Sequence, residues 1–366
     1  MREYAMTLLE AENKAYTSNR DSKSSSYKFY STIVSSGTLS DKISALTLSV
    51  QESPLHNTQA LESLVGLSKK RSRAQAVEVL RSLKDLFAQG TLLPSDRRLK
   101  HFVNQPALAA ALSEAGGHWD IGDKLPNQIE KSHLIMWAFE DFLKDQYFEV
   151  LKVLEVWCND EIEFSRSRAL SYVYELLKEK SEQESNLLRL LVNKLGDPSK
   201  KIASRASYLL LQLEQAHPLM KGTIVSSIES ESLFRPGQSQ HAKYYGVITL
   251  NQTILSKSDD KVASQLLDIY FPLFVALLKP KKDVHAQKIL KKKGKHSKKG
   301  KKGKEGNEDG KGEAQEDELR EKLISAVLVG VNRAYPFTTS SYELYVDTYS
   351  NPLQHCELTL FYSQAF

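Results

Sequence analysis

The residues of this chain best suited to a chemical interaction are the lysines of one short tract, and the interaction they suit is attraction to phosphate groups. Between Lys279 and Lys304 there are thirteen lysines and one acidic residue, Asp283, so the local formal charge is 13 − 1 = +12. The whole chain carries +5, so all other residues together carry 5 − 12 = −7. Closely spaced lysines without interleaved aromatic residues or arginines favour sequence-independent contacts with nucleic-acid phosphates over the reading of bases. The candidate nucleic-acid-binding residues are Lys288, Lys291, Lys292, Lys293, Lys295, Lys298, Lys299, Lys301, Lys302 and Lys304.

The same tract allows two further interpretations. Its composition is typical of a nuclear or nucleolar localisation signal, and it could also be a solvated insertion that only keeps the protein soluble. From Glu305 to Glu318 the chain turns acidic and stays rich in glycine. Because apolar residues are so few, we expect the whole insertion, residues 279–318, to be disordered. These interpretations are compatible with one another.

Motifs for catalysis and metal binding are missing from the sequence. It holds no His-Glu-x-x-His, Cys-x-x-Cys or Gly-x-Ser-x-Gly pattern, and its nine histidines show no paired ligand spacing. The run from Gly294 to Lys301 lacks the spacing of a phosphate-binding loop and the Ser or Thr that should follow the lysine. We therefore predict a protein that is not an enzyme and that uses no cofactor, metal or small-molecule substrate.

Composition also indicates a cellular location. The two cysteines, Cys158 and Cys356, are too few for a disulfide framework or a four-cysteine zinc site. The longest apolar stretch, residues 266–278, is interrupted by Asp268 and Pro272, so no membrane span is expected. The N-terminus lacks the apolar core of a signal peptide. These features predict a protein of a reducing compartment inside the cell.

A pair of amphipathic helices between Leu187 and Leu213 is the clearest organising element of the chain. Apolar residues recur at spacings of three and four in both helices, which gives each a stripe to bury. At the turn, Gly196 suits a left-handed backbone, Asp197 can cap the second helix, and Pro198 fits its first turn. The unit resembles a HEAT repeat, in which helix pairs stack on both sides. The alternative is a helical hairpin in an ordinary bundle.

Similar periodicity predicts helices along most of the chain, with a partly helical connection over about 94–131 and no convincing strand. The predicted fold class is all-α, an α-solenoid of armadillo/HEAT-like helical repeats with one long disordered lysine-rich insertion. Three short helices are expected between about 40 and 87. The other expected helices are 132–158, 161–180, 186–195, 199–215, 219–230, 239–256, 259–278 and 319–333.

The predicted organisation of the chain follows from these elements. It consists of a partly disordered N-terminal segment over 1–35, the α-solenoid over 36–278, the disordered basic-then-acidic insertion over 279–318, a returning solenoid helix over 319–336 and a divergent C-terminal tail over 337–366.

Several phrases of the sequence carry a family resemblance. They are Ser36-Gly-Thr-Leu-Ser-Asp-Lys-Ile-Ser-Ala-Leu-Thr-Leu48, Ser53-Pro-Leu-His56, Leu83-Lys-Asp-Leu-Phe87, Leu93-Pro94, Arg97-Arg-Leu-Lys100, Leu191-Val-Asn-Lys-Leu-Gly-Asp-Pro198, Phe234-Arg-Pro236, Tyr244-Tyr245, Leu250-Asn-Gln252, Tyr270-Phe271 and Val329-Gly-Val-Asn-Arg-Ala-Tyr-Pro336. Each phrase alone is modestly specific, but their joint occurrence in this order is strong. Together they resemble the CCAAT-binding factor family of nucleolar ribosome-assembly proteins, which tolerates an insertion where the lysine tract lies.

The resemblance implies an α-solenoid without catalytic residues, located in the nucleus and nucleolus. It also implies two kinds of partner: a second nucleolar complex protein, and pre-ribosomal RNA in large-subunit precursor particles. Family members are usually much longer, with an N-terminal extension and further helices after the phrase that ends at Pro336. Beyond Pro336 this chain leaves the family pattern, so we expect a shortened or mispredicted gene product.

Three functions are compatible with the sequence. A non-enzymatic scaffold for assembly of the large ribosomal subunit would hold a protein partner while the lysine tract contacts rRNA phosphates, and it agrees with the most observations. A transcription factor of the CCAAT-box type would need a helix-turn-helix, zinc or basic-zipper pattern to read base edges, and the sequence has none. A solenoid transport adaptor would need regularly placed Trp and Asn, and only Trp137 and Trp157 offer a spacing to consider.

Overall fold

The computed structural model is all-α: the residues it describes form helices joined by turns, with no β-strand among them. This helical character confirms the coarser part of the predicted fold class. The chain divides into two compact units, Met1–Leu191 and Val192–Phe366, here named unit 1 and unit 2. The described residues are 1–21, 25–69, 73–90, 92–94, 97–114, 119–126, 129–278 and 309–338.

Unit 1 begins with two helices that the sequence pattern does not reveal. Arg2–Asp21 forms α1 and Ser25–Ser36 forms α2, in the segment expected to be partly disordered. The fully buried apolar residues of α1 are Ala5 and Leu9, which is a weak stripe for a helix of this length. The other helices of unit 1 are α3 (Leu39–Glu52), α4 (Thr58–Ser68), α5 (Arg73–Ala88), α6 (Pro106–Glu114), α7 (Lys131–Cys158), α8 (Glu163–Glu179) and α9 (Glu184–Asn193), the last of which continues into unit 2.

Two sets of apolar contacts stabilise unit 1, and α7 takes part in both. In the first, Phe102 and Leu134 belong to a core cluster shared by α1, α6 and α7. In the second, the rings of Phe87 on α5 and Tyr147 on α7 meet edge to face with 5.1 Å between their centroids. Both rings are fully buried, and each such side chain contributes about 2 kcal/mol through removal from water. The long helix α7 is therefore the central element of unit 1.

Unit 2 contains helices whose contacts fix their directions, and they are α10 (Lys200–Ala216), α11 (Lys221–Ile228), α12 (Gln240–Gln252), α13 (Asp260–Leu278) and α14 (Asp309–Ala334). The Thr249 hydroxyl of α12 donates to the Ser207 hydroxyl of α10 at 2.8 Å. Further along both helices, the Thr253 hydroxyl donates to Glu214 at 3.1 Å. Because residue numbers rise together, α10 and α12 run in the same direction.

α13 is related differently to its two neighbours. Lys221 of α11 pairs with Asp259 at 2.8 Å, and Gln265 donates to the Ser226 hydroxyl at 2.7 Å, so α11 and α13 run in the same direction. Against α14, residue numbers fall as those of α13 rise. Arg320, close to the middle of α14, lies beside Leu277, and Thr338, after the end of α14, lies beside Ser264. α13 and α14 are therefore antiparallel.

The glycine between α9 and α10 serves a purpose other than the predicted one. Lys194–Gly196 forms a 3₁₀ turn, and Gly196 does not have a positive φ, so the predicted left-handed conformation is wrong. The absence of a side chain matters for packing instead, because a Cβ at Gly196 would lie 3.1 Å from the Cβ of Ala242 on α12. This close approach is set by a residue 46 positions away, which local sequence does not disclose.

The start of α10 also differs from the prediction. Ser199, not Asp197, is the residue before the helix, and Pro198 lies outside its first turn. The Asp197 carboxylate accepts a hydrogen bond from the Ser199 N–H at 3.0 Å and is almost fully buried. Asp197 thus shapes the turn that leads into α10 rather than capping the helix itself.

α13 is, among the described residues, the helix that is long and apolar enough to cross a membrane by length and composition. Its apolar residues are needed in the core of unit 2, since Leu266, Leu267, Tyr270 and Leu273 are at most 2% exposed. Asp268 lies on the exposed side of the same helix. Packing against α11 and α14 therefore accounts for the composition of α13.

The helices from α7 to α13 agree with the predicted ones to within a few residues, and the connection before α7 is partly helical, as predicted. α14 is different, because it begins at Asp309, inside the acidic segment expected to be disordered. Residues 309–318 contain Glu, Lys, Ala and Gln, which favour helix. They show no apolar periodicity, which is the pattern that would have predicted a helix there.

Candidate nucleic-acid interface and the contacts that support it

All ten lysines of the predicted nucleic-acid site lie outside the described residues, but the helices at both ends of the tract are described. α13 ends at Leu278 and α14 begins at Asp309. The two helices pack together, and Nε of Arg320 donates to the carbonyl oxygen of Leu277 at 3.0 Å. The tract is therefore attached to one end of a packed helix pair. The residues concerned are Lys288, Lys291, Lys292, Lys293, Lys295, Lys298, Lys299, Lys301, Lys302 and Lys304.

α14 is held in place by a close contact at Gly330. A Cβ at this position would lie 2.5 Å from both Asn251 Oδ1 and Tyr270 Cζ, so a larger residue would have to displace buried neighbours. The Tyr270 hydroxyl donates to Asn251 Oδ1 at 2.7 Å, and Asn251 Nδ2 donates to the Ala326 carbonyl at 2.8 Å. Burial raises the pKa of Tyr270 well above its usual range, so its hydroxyl keeps its proton. Three sequence phrases that are distant along the chain thus meet in one contact.

A buried carboxyl, Glu214, lies near this contact at the end of α10. It is 3% exposed, and its Oε1 accepts a hydrogen bond from Thr253 at 3.1 Å. Its Oε2 has no hydrogen-bond partner within the described part of the chain. Burial raises the pKa of Glu214 to about 7, and the Thr253 hydroxyl and the Lys221 charge oppose this only in part. Glu214 can therefore hold a proton close to neutral pH.

Unit 1 contains a basic segment, Arg97–His101, which corresponds to one of the family phrases. Its guanidinium groups pair with carboxylates, Arg97 with Glu140 on α7 and Arg98 with Glu184 on α9. His101 Nδ1 lies 3.0 Å from a carboxylate oxygen of Asp141. The two guanidinium groups and the His101 ring are thus directed towards acidic groups of the same unit.

The backbone of the same segment is held by three acidic residues, of which Glu182 and Asp141 are buried and Glu140 is partly buried. The N–H groups of Leu99, Lys100 and Phe102 donate to Glu182, Glu140 and Asp141 at 2.8, 2.8 and 3.1 Å, respectively. Burial works against ionisation of Glu140 and Asp141, but the hydrogen bonds they accept outweigh it and lower the pKa of both. Sequence reasoning missed this arrangement. Its signal was the pair Glu140-Asp141 within an otherwise apolar part of α7.

A cavity of about 630 Å³ in unit 1 lies between the end of α4, the start of α5 and the second half of α7. The cations that line it already have carboxylate partners: Lys69 and Lys152 pair with Glu149, and Arg73 pairs with Asp160. Across the described ranges, no group of three or more His, Cys, Asp or Glu side chains could hold a metal ion. The cavity shows no arrangement for catalysis.

Comparison with known proteins finds relatives along nearly the whole chain, although no family model matches it. The chain is 53% identical over 354 residues to ribosome biogenesis protein NOC1 of Chaetomium thermophilum, which covers 95% of this chain and 34% of that protein. It is 35% identical over 336 residues to human CCAAT/enhancer-binding protein zeta, covering 91% and 27%. It is 34% identical over 254 residues to nucleolar complex protein 1 of Drosophila melanogaster, covering 69% and 20%. The chain thus spans about a third or less of the length of these relatives.

The matched lengths cover most of the chain, and the names of these relatives agree with the family that the sequence phrases suggested. An identity of 53% over 95% of the chain is a relationship of descent, not of composition. The chain therefore belongs to the family that includes ribosome biogenesis protein NOC1 and CCAAT/enhancer-binding protein zeta.

Proposed function

We propose that this chain is a non-enzymatic scaffold that acts in the nucleolus in assembly of the large ribosomal subunit. The observation that carries the proposal is the similarity over 95% of the chain to a protein named for ribosome biogenesis. A second relative is named as a nucleolar complex protein. The chemistry of the described residues agrees with a binding role, because their carboxylates and cations form internal pairs rather than a reaction site.

The scaffold proposed here is an α-solenoid of armadillo/HEAT-like repeats. Within unit 2, helices two apart in the chain run parallel, as α10 and α12 do, and the consecutive helices α13 and α14 run antiparallel. Stacked helix pairs have this alternation of direction. The lysine-rich insertion would then interrupt one pair, between α13 and α14, and leave the stack itself continuous.

In this proposal the two kinds of partner use different parts of the molecule. The lysine tract would contact the phosphates of pre-ribosomal RNA, whose attraction to lysines depends on charge and not on sequence. The helical surfaces would hold a protein partner, a second nucleolar complex protein, because rows of parallel helices offer extended surfaces for protein contacts.

Purification of the tagged chain from nuclear extract, with and without RNase, tests the proposal. We expect recovery of large-subunit precursor RNA together with a nucleolar protein, and we expect the protein to remain after RNase treatment. Recovery of promoter DNA or of transport cargo without precursor RNA would contradict the proposal.

Deletion of Lys288–Lys304 tests the role of the tract. With about ten fewer cations near the RNA, the affinity should fall and the dependence of log Kd on log salt should become flatter. The helical content measured by circular dichroism should not change, because α13 and α14 are held together by contacts outside the tract. An unchanged affinity and salt slope would remove the tract from the mechanism.

A further inference from the structure

The cavity of unit 1 has an apolar wall that is open to solvent. Three apolar side chains of α7 line the cavity: Val153, Val156 and Trp157. Val156 and Trp157 follow Val153 by three and four residues, so all three lie on one face of the helix. Val153 and Trp157 are each 8% exposed, whereas Val156 is 70% exposed. An exposed valine beside a cavity of about 630 Å³ offers contact area to an apolar side chain of another molecule.

The charged side chains that line the cavity do not balance. Lys69, Arg73 and Lys152 line it together with two carboxylates, Glu149 and Asp160, so the lining carries a formal charge of 3 − 2 = +1. The two lysines share one carboxylate. Nζ of Lys152 donates to Glu149 Oε1 at 2.6 Å, and Nζ of Lys69 donates to Glu149 Oε2 at 2.8 Å. These hydrogen bonds lower the pKa of Glu149, so it is ionised at neutral pH and holds both lysines at the cavity.

Arg73 keeps hydrogen-bond donors that its own unit does not use. Its Nε donates to Asp160 Oδ2 at 3.1 Å, and within the described part of the chain its terminal nitrogens, Nη1 and Nη2, have no hydrogen bond or ion pair. The side chain is 49% exposed. The terminal nitrogens of a guanidinium group can hold a carboxylate through two parallel hydrogen bonds. The sequence from Lys69 to Arg73 adds to the positive charge, since it has four basic residues and no acidic one.

We infer that this cavity binds a short acidic segment of a protein partner, with an apolar side chain against Val156 and a carboxylate on Arg73. An excess of one positive charge beside an apolar wall is complementary to one carboxylate next to a large apolar side chain. That the chain has a protein partner rests on the proposed function, whereas the cavity itself requires only a peptide of this chemistry.

A protein segment fits the cavity better than a nucleic acid does. Glu149 and Asp160 line the cavity and would repel a backbone that carries a charge on every nucleotide. Glu155 and Glu161, which are exposed and do not line the cavity, lower the positive potential around it. The attraction for anions is therefore confined to the cavity, which suits a single carboxylate.

Selection of peptides on the purified full chain tests this inference. The probe is a library of short random peptides displayed on phage. The phage are first passed over Val156→Glu, which removes peptides that bind the lysine tract, because both chains share that tract. Wild type should then enrich peptides that have a net negative charge and a large aliphatic or aromatic residue. Fluorescence anisotropy gives the affinity of one enriched peptide for wild type and for each variant.

Matched variants separate the cavity from general surface effects. Val156→Glu and Arg73→Gln should each weaken peptide binding about tenfold, the first through loss of the apolar wall and the second through loss of the paired hydrogen bonds. Val103→Glu changes a valine of similar exposure, 69%, and Arg98→Gln changes an exposed arginine that also pairs with one carboxylate. Both controls should bind as wild type does. All four side chains are largely exposed, so thermal unfolding should stay close to that of wild type.

Carbodiimide cross-linking followed by peptide mapping locates the bound peptide. The reagent joins a carboxylate to a lysine amine in direct contact with it. The peptide should therefore be attached to Lys69 or Lys152, which line the cavity. Attachment only to lysines of the tract would show that the peptide binds there instead.

Any of four outcomes would overturn the inference: enriched peptides without net negative charge, equal affinity for wild type and Val156→Glu, cross-links confined to the lysine tract, or displacement of the peptide by single-stranded RNA. The inference and the proposed function fail separately. If wild type recovers precursor RNA and a nucleolar protein from nuclei but selects no acidic peptide, only the inference fails. If the cavity binds acidic peptides but wild type recovers no precursor RNA, only the proposed function fails.

Discussion

Unit 1 and unit 2 both bury carboxyl groups, and the pKa values of these groups move in opposite directions. In unit 1, Asp141 accepts hydrogen bonds from Arg2 and from the Phe102 N–H and contacts His101, and its pKa is lowered. In unit 2, Glu214 accepts a hydrogen bond from the Thr253 hydroxyl, and its pKa is raised to about 7. Both side chains are almost fully buried.

The difference shows that burial alone does not decide the charge of a carboxyl group in this protein. Burial raises the pKa at both sites, and the number and charge of the donors decide whether it is overcome. The charged carboxyl of unit 1 holds an irregular backbone segment in place. The carboxyl of unit 2 has few donors, so its ionisation costs stability. We therefore expect the stabilities of unit 1 and unit 2 to change in opposite directions with pH.

The largest expected effect is the loss of the unit 1 carboxylate. Asp141→Ala leaves the buried Phe102 N–H without its acceptor and removes the partner of Arg2, so the free energy of unfolding should fall by about 3 kcal/mol. Urea unfolding followed by tryptophan fluorescence measures this change in unit 1, where Trp119, Trp137 and Trp157 all lie. A change below about 1 kcal/mol would mean that the carboxylate does not hold the segment.

The same carboxylate predicts how acid affects unit 1. The pKa of Asp141 is lowered from its ordinary value of 3.8, so ionised Asp141 stabilises the folded state at neutral pH. That stability should be lost as the pH falls below about 4 and through the pKa of the folded state. In Asp141→Ala, the free energy of unfolding, measured by tryptophan fluorescence, should fall less steeply than in wild type as the pH is lowered.

The second effect concerns Glu214 and has the opposite sign. Its pKa is raised from 4.5 to about 7, so the folded state holds the proton more tightly and stability falls as the pH rises from about 4.5 to 7. Glu214→Gln resembles the protonated form and should be more stable than wild type at pH 8 by about 2 kcal/mol, and nearly equal to it at pH 5. Hydrogen exchange of peptides from α12 and α13 reports this for unit 2.

A control for this prediction is Glu321→Gln, which changes an exposed carboxyl of α14. It should leave the pH dependence of exchange as it is in wild type. Equal stability of Glu214→Gln and wild type at both pH values would show that Glu214 has enough donors after all.

The third effect tests the close contact at Gly330 that holds α14 in place. Gly330→Ala places a Cβ 2.5 Å from buried Asn251 and Tyr270 and should cost about 2 kcal/mol in unit 2. Gly66→Ala is the matched control in unit 1, because no atom lies within 4 Å of its added Cβ and the residue lies in α4. That change should be stabilising by about 0.5–1 kcal/mol. Thermal unfolding of both variants checks the contrast, and a neutral Gly330→Ala would contradict it.

The smallest effect on stability is expected at an exposed ion pair of unit 1. Arg98→Ala removes the partner of Glu184 and should change the free energy of unfolding by less than about 1 kcal/mol, because the arginine side chain is exposed. Urea unfolding followed by tryptophan fluorescence measures the change. A loss as large as that of Asp141→Ala would show that the exposed pair holds the segment as firmly as the buried carboxylate does.

Much of the helical organisation could be predicted because it follows from local apolar periods. The stripe from Leu187 to Leu195 and the one from Ile202 to Leu213 each specify a helix without reference to the rest of the chain. The start of α14 and the whole of α1 escaped prediction because their sequences are largely polar, and tertiary contacts decide whether such segments are ordered.

The site-level contacts could not be predicted for a related reason. Gly196 was assigned to a turn conformation, although its role depends on Ala242 on another helix. The anchoring of Leu99 by Glu182 joins residues 83 positions apart. The lysine tract was recognised from composition alone, whereas the contact of Gly330 with Asn251 and Tyr270 required knowledge of which helices lie side by side.

The contact at Gly330 has a consequence for how this protein can change during evolution. Since Asn251 and Tyr270 fix α14 from the side, its position does not depend on the number of residues between Leu278 and Asp309. Closing a connection of twice the length costs only about 0.6 kcal/mol more. Related proteins can therefore change the length or the charge of this insertion while α13 and α14 keep their packing. The insertion can evolve separately from the helices on either side of it.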